Sequence, residues 1–114
     1  SVNCWNLITL NRYIEDDAKE LIVMLKEDDR KKKENIIGKV IIPMPDLTDG
    51  RPKDGWYALV PAEENSVKGE ILLDIQYTPP VPNKNVIGGL KINGKTSLKV
   101  LQYYSYFQKK STRH

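Results

Sequence analysis

The 114-residue chain predicts an all-β fold of antiparallel strands, and three observations carry that reading. First, Gly69-Glu-Ile-Leu-Leu-Asp-Ile-Gln-Tyr77 sets Ile71, Leu73, Ile75 and Tyr77 on one face and Glu70, Leu72, Asp74 and Gln76 on the other. That period of two is the mark of a half-buried antiparallel strand. Second, Asn35-Ile-Ile-Gly-Lys-Val-Ile-Ile-Pro43 is a short apolar run closed by a proline. There Ile37, Lys39 and Ile41 alternate with Gly38, Val40 and Ile42, which suits a strand buried on at least one face. Third, Asp49-Gly50, Asp54-Gly55 and Asn93-Gly94 punctuate the apolar runs with residues that accept turn backbone angles.

Taken in order, strands are expected near residues 5–11, 20–26, 36–43, 56–60 and 69–77. Between the second and third lies Lys26-Glu-Asp-Asp-Arg-Lys-Lys-Lys-Glu-Asn35, ten residues of which nine are charged and none apolar. Such a segment is either a solvated connection or a binding edge. Asp46-Leu-Thr-Asp-Gly-Arg-Pro-Lys-Asp-Gly55 is a turn-rich connection. Thr78-Pro-Pro-Val-Pro82 cannot continue a hydrogen-bonded strand and reads as a stiff, extended linker. Beyond it, residues 87–92 and 95–100 flank Asn93-Gly94, the pair that best fits a two-residue hairpin turn with positive φ. The second arm runs into Leu101 and Tyr103-Tyr-Ser-Tyr-Phe107, whose aromatics favour pleated structure. A helix from Leu98 to Lys109 competes, because Leu98, Leu101, Tyr104 and Phe107 recur at helical spacing. Residues 109–114 are expected to fray.

Charge is distributed unevenly. Residues 1–80 carry 11 Lys or Arg against 15 Asp or Glu, whereas residues 81–114 carry seven basic groups and no acid. The basic end suits either attraction to polyanions or protection of exposed strand edges. A domain organisation follows, with residues 1–80 as a β-rich body and residues 81–114 as a basic, aromatic-rich β-hairpin or tail packed on it. Ile87, Leu90, Ile92, Leu98, Val100 and Leu101 are apolar enough to want a core. No apolar run approaches the roughly 20 residues that cross a membrane as a helix. Cys4 stands alone, which makes a reducing compartment, and hence the cytoplasm, the default. Its ordinary role is a small buried hydrophobe beside Trp5.

Five motifs in order resemble the C-terminal part of a C2 domain, the calcium- and phospholipid-binding β-sandwich. Cys4-Trp-Asn6 with Ile8 and Leu10 is similar to that family's proline-aromatic-asparagine segment, with Cys4 in the proline's place. Glu20-Leu-Ile-Val-Met-Leu25 resembles the strand entering the third membrane-facing loop, Glu27-Asp-Asp-Arg30 the loop, and Ile36-Ile-Gly38 the strand leaving it. Asp54-Gly-Trp-Tyr57 and Lys68-Gly-Glu-Ile-Leu-Leu73 resemble the late segments. The resemblance covers about Asn3 to Pro79 and implies an antiparallel, C2-like β-sandwich that lacks the family's first strands. Five strands leave such a sandwich incomplete. The missing ones would come from the segment after Pro82, from sequence upstream, or from a partner chain.

The resemblance also implies a site. Counting back from Gly38, the third-loop calcium ligands fall on Glu27, Asp29 and Asn35. Asn35 is neutral, Glu27 is one methylene longer than aspartate, and the family's two first-loop aspartates have no counterpart. Calcium affinity follows ligand charge and rigidity, so any calcium is held weakly. Where membrane-inserting apolar residues would sit, the chain has Arg30, Lys31, Lys32 and Lys33. Each basic group near an anionic leaflet contributes on the order of 1 kcal/mol. Glu27, Asp28, Asp29 and Glu34 flank them and offset part of that field. The reading is therefore a non-catalytic, peripheral-membrane targeting module for anionic phospholipid, with weak or no calcium dependence. The alternative is a protein-interaction or scaffolding module that pairs a partner strand with an exposed edge.

Other chemistry has little support in these residues. Trp5, Trp56 and Tyr57 are expected as core or rim anchors. Tyr103, Tyr104, Tyr106, Phe107, Lys109 and Lys110 have the composition of a single-stranded nucleic-acid platform, but no nucleic-acid motif accompanies them. The single His is the last residue and Cys4 has no partner base, so the pattern points away from an enzyme.

Overall fold

The computed structural model describes residues 6–27, 35–61, 69–98, 100 and 102–110. Its strands are β1 (Asn6–Tyr13), β2 (Glu20–Glu27), β3 (Asn35–Pro43), β4 (Lys53–Ala58), β5 (Val60–Pro61), β6 (Glu70–Thr78), β7 (Gly89–Thr96) and β8 (Gln102–Gln108). One four-residue helix, α1 (Met44–Leu47), follows β3, and a 3₁₀ turn at Pro82–Lys84 precedes β7. The strands form two four-stranded sheets in the orders β1-β7-β6-β4 and β5-β3-β2-β8. Every strand pairing is antiparallel.

Alternation along each strand supplies the core between the sheets. Ile71, Leu73 and Ile75 of β6 and Leu90 and Ile92 of β7 face Leu21, Val23 and Leu25 of β2 and Val40 and Ile42 of β3. Ile8, Leu47, Leu59 and Phe107 close its margins. On β6 the buried set is Ile71, Leu73 and Ile75 with half-buried Tyr77, the face given by the sequence alternation. Such apolar burial, at roughly 25 cal/mol per Å², is the main force holding the two sheets together.

Four of the five expected body strands appear with ends displaced by one or two residues, as strand ends commonly are. The fifth divides. Instead of one strand over 56–60, β4 runs Lys53–Ala58 in one sheet and β5 runs Val60–Pro61 in the other. Leu59, buried in the core, sits at the crossing, and its N–H donates to the Gly69 carbonyl at 3.0 Å. β5 can approach β3 because Gly38 has no side chain: a Cβ there would lie 2.9 Å from the Val60 carbonyl oxygen. Asp54-Gly55 is therefore strand rather than turn. The turn lies just before it, where Gly50 has φ +80° and the Asp49 carboxylate accepts from the Arg51 N–H (2.9 Å) and Lys53 Nζ (2.7 Å). The Lys53 hydrogen bond, then that of Arg51, lowers the Asp49 pKa.

The hairpin expected at Asn93-Gly94 is overturned. β7 runs unbroken through both residues, pairing Asn93 with Thr9 and Asp74, and Gly94 with Ile8 and Leu73. Neither residue has positive φ. Gly94 faces inward, and a Cβ there would lie 3.0 Å from Leu73 Cδ2 and 3.3 Å from Ile71 Cδ1. Its lack of a side chain makes room for core neighbours, so packing on both sides outweighs the local turn preference. The competing helix over 98–109 does not form either. β8 alternates, with Ser105 and Phe107 inward.

Residues after Pro82 supply one strand to each sheet, with β7 interior to one and β8 at the margin of the other. Lys91 and Lys95 of β7 face solvent. Trp56, expected as an anchor, is 54% exposed on the outer face beside Leu72, whereas Tyr57 packs against the core. Cys4 and Trp5 lie outside the described residues.

Candidate functional site

β2 and β3 form a hairpin whose ladder runs from Glu20↔Pro43 to Glu27↔Asn35, with a register shift between Leu25 and Lys26. β2 holds this position firmly because it is buried on both faces. Leu21, Val23 and Leu25 enter the core, while Ile22 and Met24 point outward and are still 0% and 8% exposed. A strand with two apolar faces between two neighbours is the expected interior of a sheet, here flanked by β3 and β8.

Glu27 and Asn35, two of the three ligand positions implied by the resemblance, are thus backbone partners on the last rung. The third, Asp29, lies outside the described residues, as do Asp28, Arg30, Lys31, Lys32 and Lys33. The connection 28–34 joins the two sides of that rung, at the end of the sandwich where β8 begins, since Lys26 pairs with Gln102. β7 ends and β1 begins at the same end, with Asn6 opposite Thr96. Among the described residues, no group of three or more His, Cys, Asp or Glu could hold a metal ion.

Next to the rung, the structure brings together groups from distant parts of the sequence. Lys26 Nζ sits 5.1 Å from the centroid of the Tyr104 ring, a cation–π contact. Tyr104 stacks on Tyr106 with centroids 6.0 Å apart and an interplanar angle of 27°. Across β2 the same outer rows continue to Lys39 and Ile41, opposite Met24 and Ile22. Lys26 belongs to the charged segment and Tyr104 to the aromatic arm. Local alternation assigns each to one face of its own strand, and only register decides that the two strands lie side by side.

The fold defines the class: a two-layer, antiparallel, C2-like β-sandwich. The chain is 31% identical over 77 residues to synaptotagmin-5 of Rattus norvegicus, and equally to synaptotagmin-5 of Mus musculus and of Homo sapiens. The match covers 66% of this chain and 20% of each relative, so the chain spans about a fifth of the curated relatives it matches. Synaptotagmin-5 is a C2-domain protein, and the similarity suggests a C2-like domain. No protein-family model matches the chain, and no solved structure matches it. Among the described residues, no helix is long and apolar enough to cross a membrane.

Proposed function

We propose that this chain is a non-catalytic C2-like module that docks peripherally, on the cytoplasmic side, to anionic phospholipid through Arg30, Lys31, Lys32 and Lys33. The supporting observation is the closed Glu27↔Asn35 rung, which suspends a connection carrying four basic residues from a strand buried on both faces. Lys26, just inside the rung, adds a fifth cation at the base of that connection. The similarity to a C2-domain protein points the same way. Replacing Lys31, Lys32 and Lys33 together by glutamate should abolish co-sedimentation with phosphatidylserine-containing vesicles. The melting temperature should barely move, because solvated charges add little stability. Unchanged vesicle binding by this triple variant sinks the reading.

Calcium plays a minor part in this proposal. Glu27 and Asp29 are the carboxylates among the three implied ligand positions, and Asn35 adds only a neutral oxygen. Hard-cation affinity falls as ligand charge is lost, so calorimetric titration of this chain should give a calcium Kd no tighter than about 10⁻⁴ M. Micromolar binding would restore calcium as the driver of docking. A second reading, a protein-interaction module, is favoured by one particular observation: among the described strands, β8 ends its sheet as an uncharged edge strand.

A further inference from the structure

The marginal strand β8 has the sequence Gln102-Tyr-Tyr-Ser-Tyr-Phe-Gln108, which reads nearly the same in both directions about Ser105. Its described pairing is with β2, and it stands last in the order β5-β3-β2-β8. Edge strands are normally guarded by charge, proline or a bulge, since an open row of N–H and C=O groups invites another strand. Gln102–Gln108 contains no charged residue, proline or glycine.

The strand also contains an unsatisfied group. Ser105 Oγ is buried and has no hydrogen-bond partner, alone in this among the buried side-chain polar atoms of the described residues. A buried hydroxyl without a partner is destabilising and calls for an explanation. Ser105 is the midpoint of the near-palindrome.

We propose that β8 is a self-association edge: two copies of this chain pair β8 with β8, antiparallel, about a two-fold axis through Ser105. The partner's Ser105 then lies directly opposite Ser105, and each hydroxyl, on turning about its Cα–Cβ bond towards the seam, can donate to or accept from the other. Tyr104 faces the partner's Tyr106, Tyr103 faces the partner's Phe107, and Gln102 faces the partner's Gln108. Every rung joins like with like, and no like charges oppose one another. The contact is isologous, as two-fold symmetry requires. Seven rungs extend about 23 Å and fuse two four-stranded sheets into one of eight. The pairing also covers Tyr103 and Tyr104, which are 37% and 39% exposed in the single chain. The other long marginal strand, β1, offers no such match: a register centred on Thr9 sets Asn6 against Arg12 and Leu7 against Asn11. The inference is independent of lipid docking, because it uses the sheet margin rather than the 28–34 connection.

Sedimentation velocity over a range of concentrations tests the dimer, and cross-linking tests its register. The chain should show a reversible monomer–dimer equilibrium. Tyr104→Lys with Tyr106→Lys sets two pairs of ammonium groups opposite each other, so dimerisation should weaken at least about tenfold. Mixing that variant with Tyr104→Glu plus Tyr106→Glu should restore a dimer containing one copy of each. In a Cys4→Ser background, the near-isosteric Ser105→Cys should give a disulfide-linked dimer under mild oxidation. Gln102→Cys should not link to itself, but Gln102→Cys with Gln108→Cys should. Thermal melts of each variant report whether it remains folded. A chain that stays monomeric up to about 1 mM overturns the proposal. So does a dimer that links through position 102 alone, or one that fails to link through position 105 while the variant remains folded.

Discussion

Thr96 shows how much one polar side chain does at the end of a strand. It is fully buried, yet its hydroxyl donates to the Glu70 carbonyl at 2.9 Å and accepts from the Leu98 N–H at 3.2 Å. The two bonds tie the end of β7 to the start of β6 and fix the direction in which the chain leaves for β8. Valine has nearly the same shape but neither bond. Thr96→Val should therefore lower stability by about 1–3 kcal/mol, the usual cost of stranding buried polar partners. Chemical denaturation read by tryptophan fluorescence checks it, and a loss below about 0.3 kcal/mol would mean that water replaces the hydroxyl. Nothing in the sequence singled out Thr96, because a threonine beside a lysine-rich strand reads as surface. Its burial exists only once β6 lies alongside.

At the scale of elements, the same distinction separates β6 from β7. The alternation of β6 determined both its structure and its buried face, because each residue's environment repeats with the local period of two. In β7 a local signal was overruled. Asn93-Gly94 favours a turn in isolation, but β1 and β6 pair on either side of it, and Leu90, Ile92 and Thr96 are buried with it. Gly94 serves there as a gap for Ile71, Leu73 and Ile8. Gly94→Val would press two methyl groups into that gap, and overpacking typically costs about 1–3 kcal/mol. A turn glycine would respond differently, since a strand-favouring valine would unpair the hairpin and alter the circular-dichroism spectrum. The expected result is an unchanged spectrum with a lower denaturation midpoint.

For the whole molecule, the segment after Pro82 is decisive. It supplies β7, in contact with β1 and β6, and β8, in contact with β2. Removing it would uncover the edges of β1, β6 and β2 and the core faces of Ile8, Ile71 and Leu73. A chain ending at Pro82 should then be insoluble or molten, with exposed apolar surface that binds ANS and no cooperative melt. A dispersed NMR spectrum from the shortened chain would show that the remaining strands form a core without β7 and β8.

The sequence by itself determined the all-β class, most strand positions, the inward face of β6 and the charged connection between β2 and β3. These depend on local period and composition, which act within a few residues. Tertiary structure alone decided the division into β4 and β5, the passage of β7 through Asn93-Gly94 and the meeting of Lys26 with Tyr104. It also placed Ser105 as a buried hydroxyl at a sheet margin. Each of these depends on which strand lies beside which, and pairing joins residues as far apart as Asn6 and Thr96. Non-local register is set by the burial of whole faces, and no short window of sequence contains both partners.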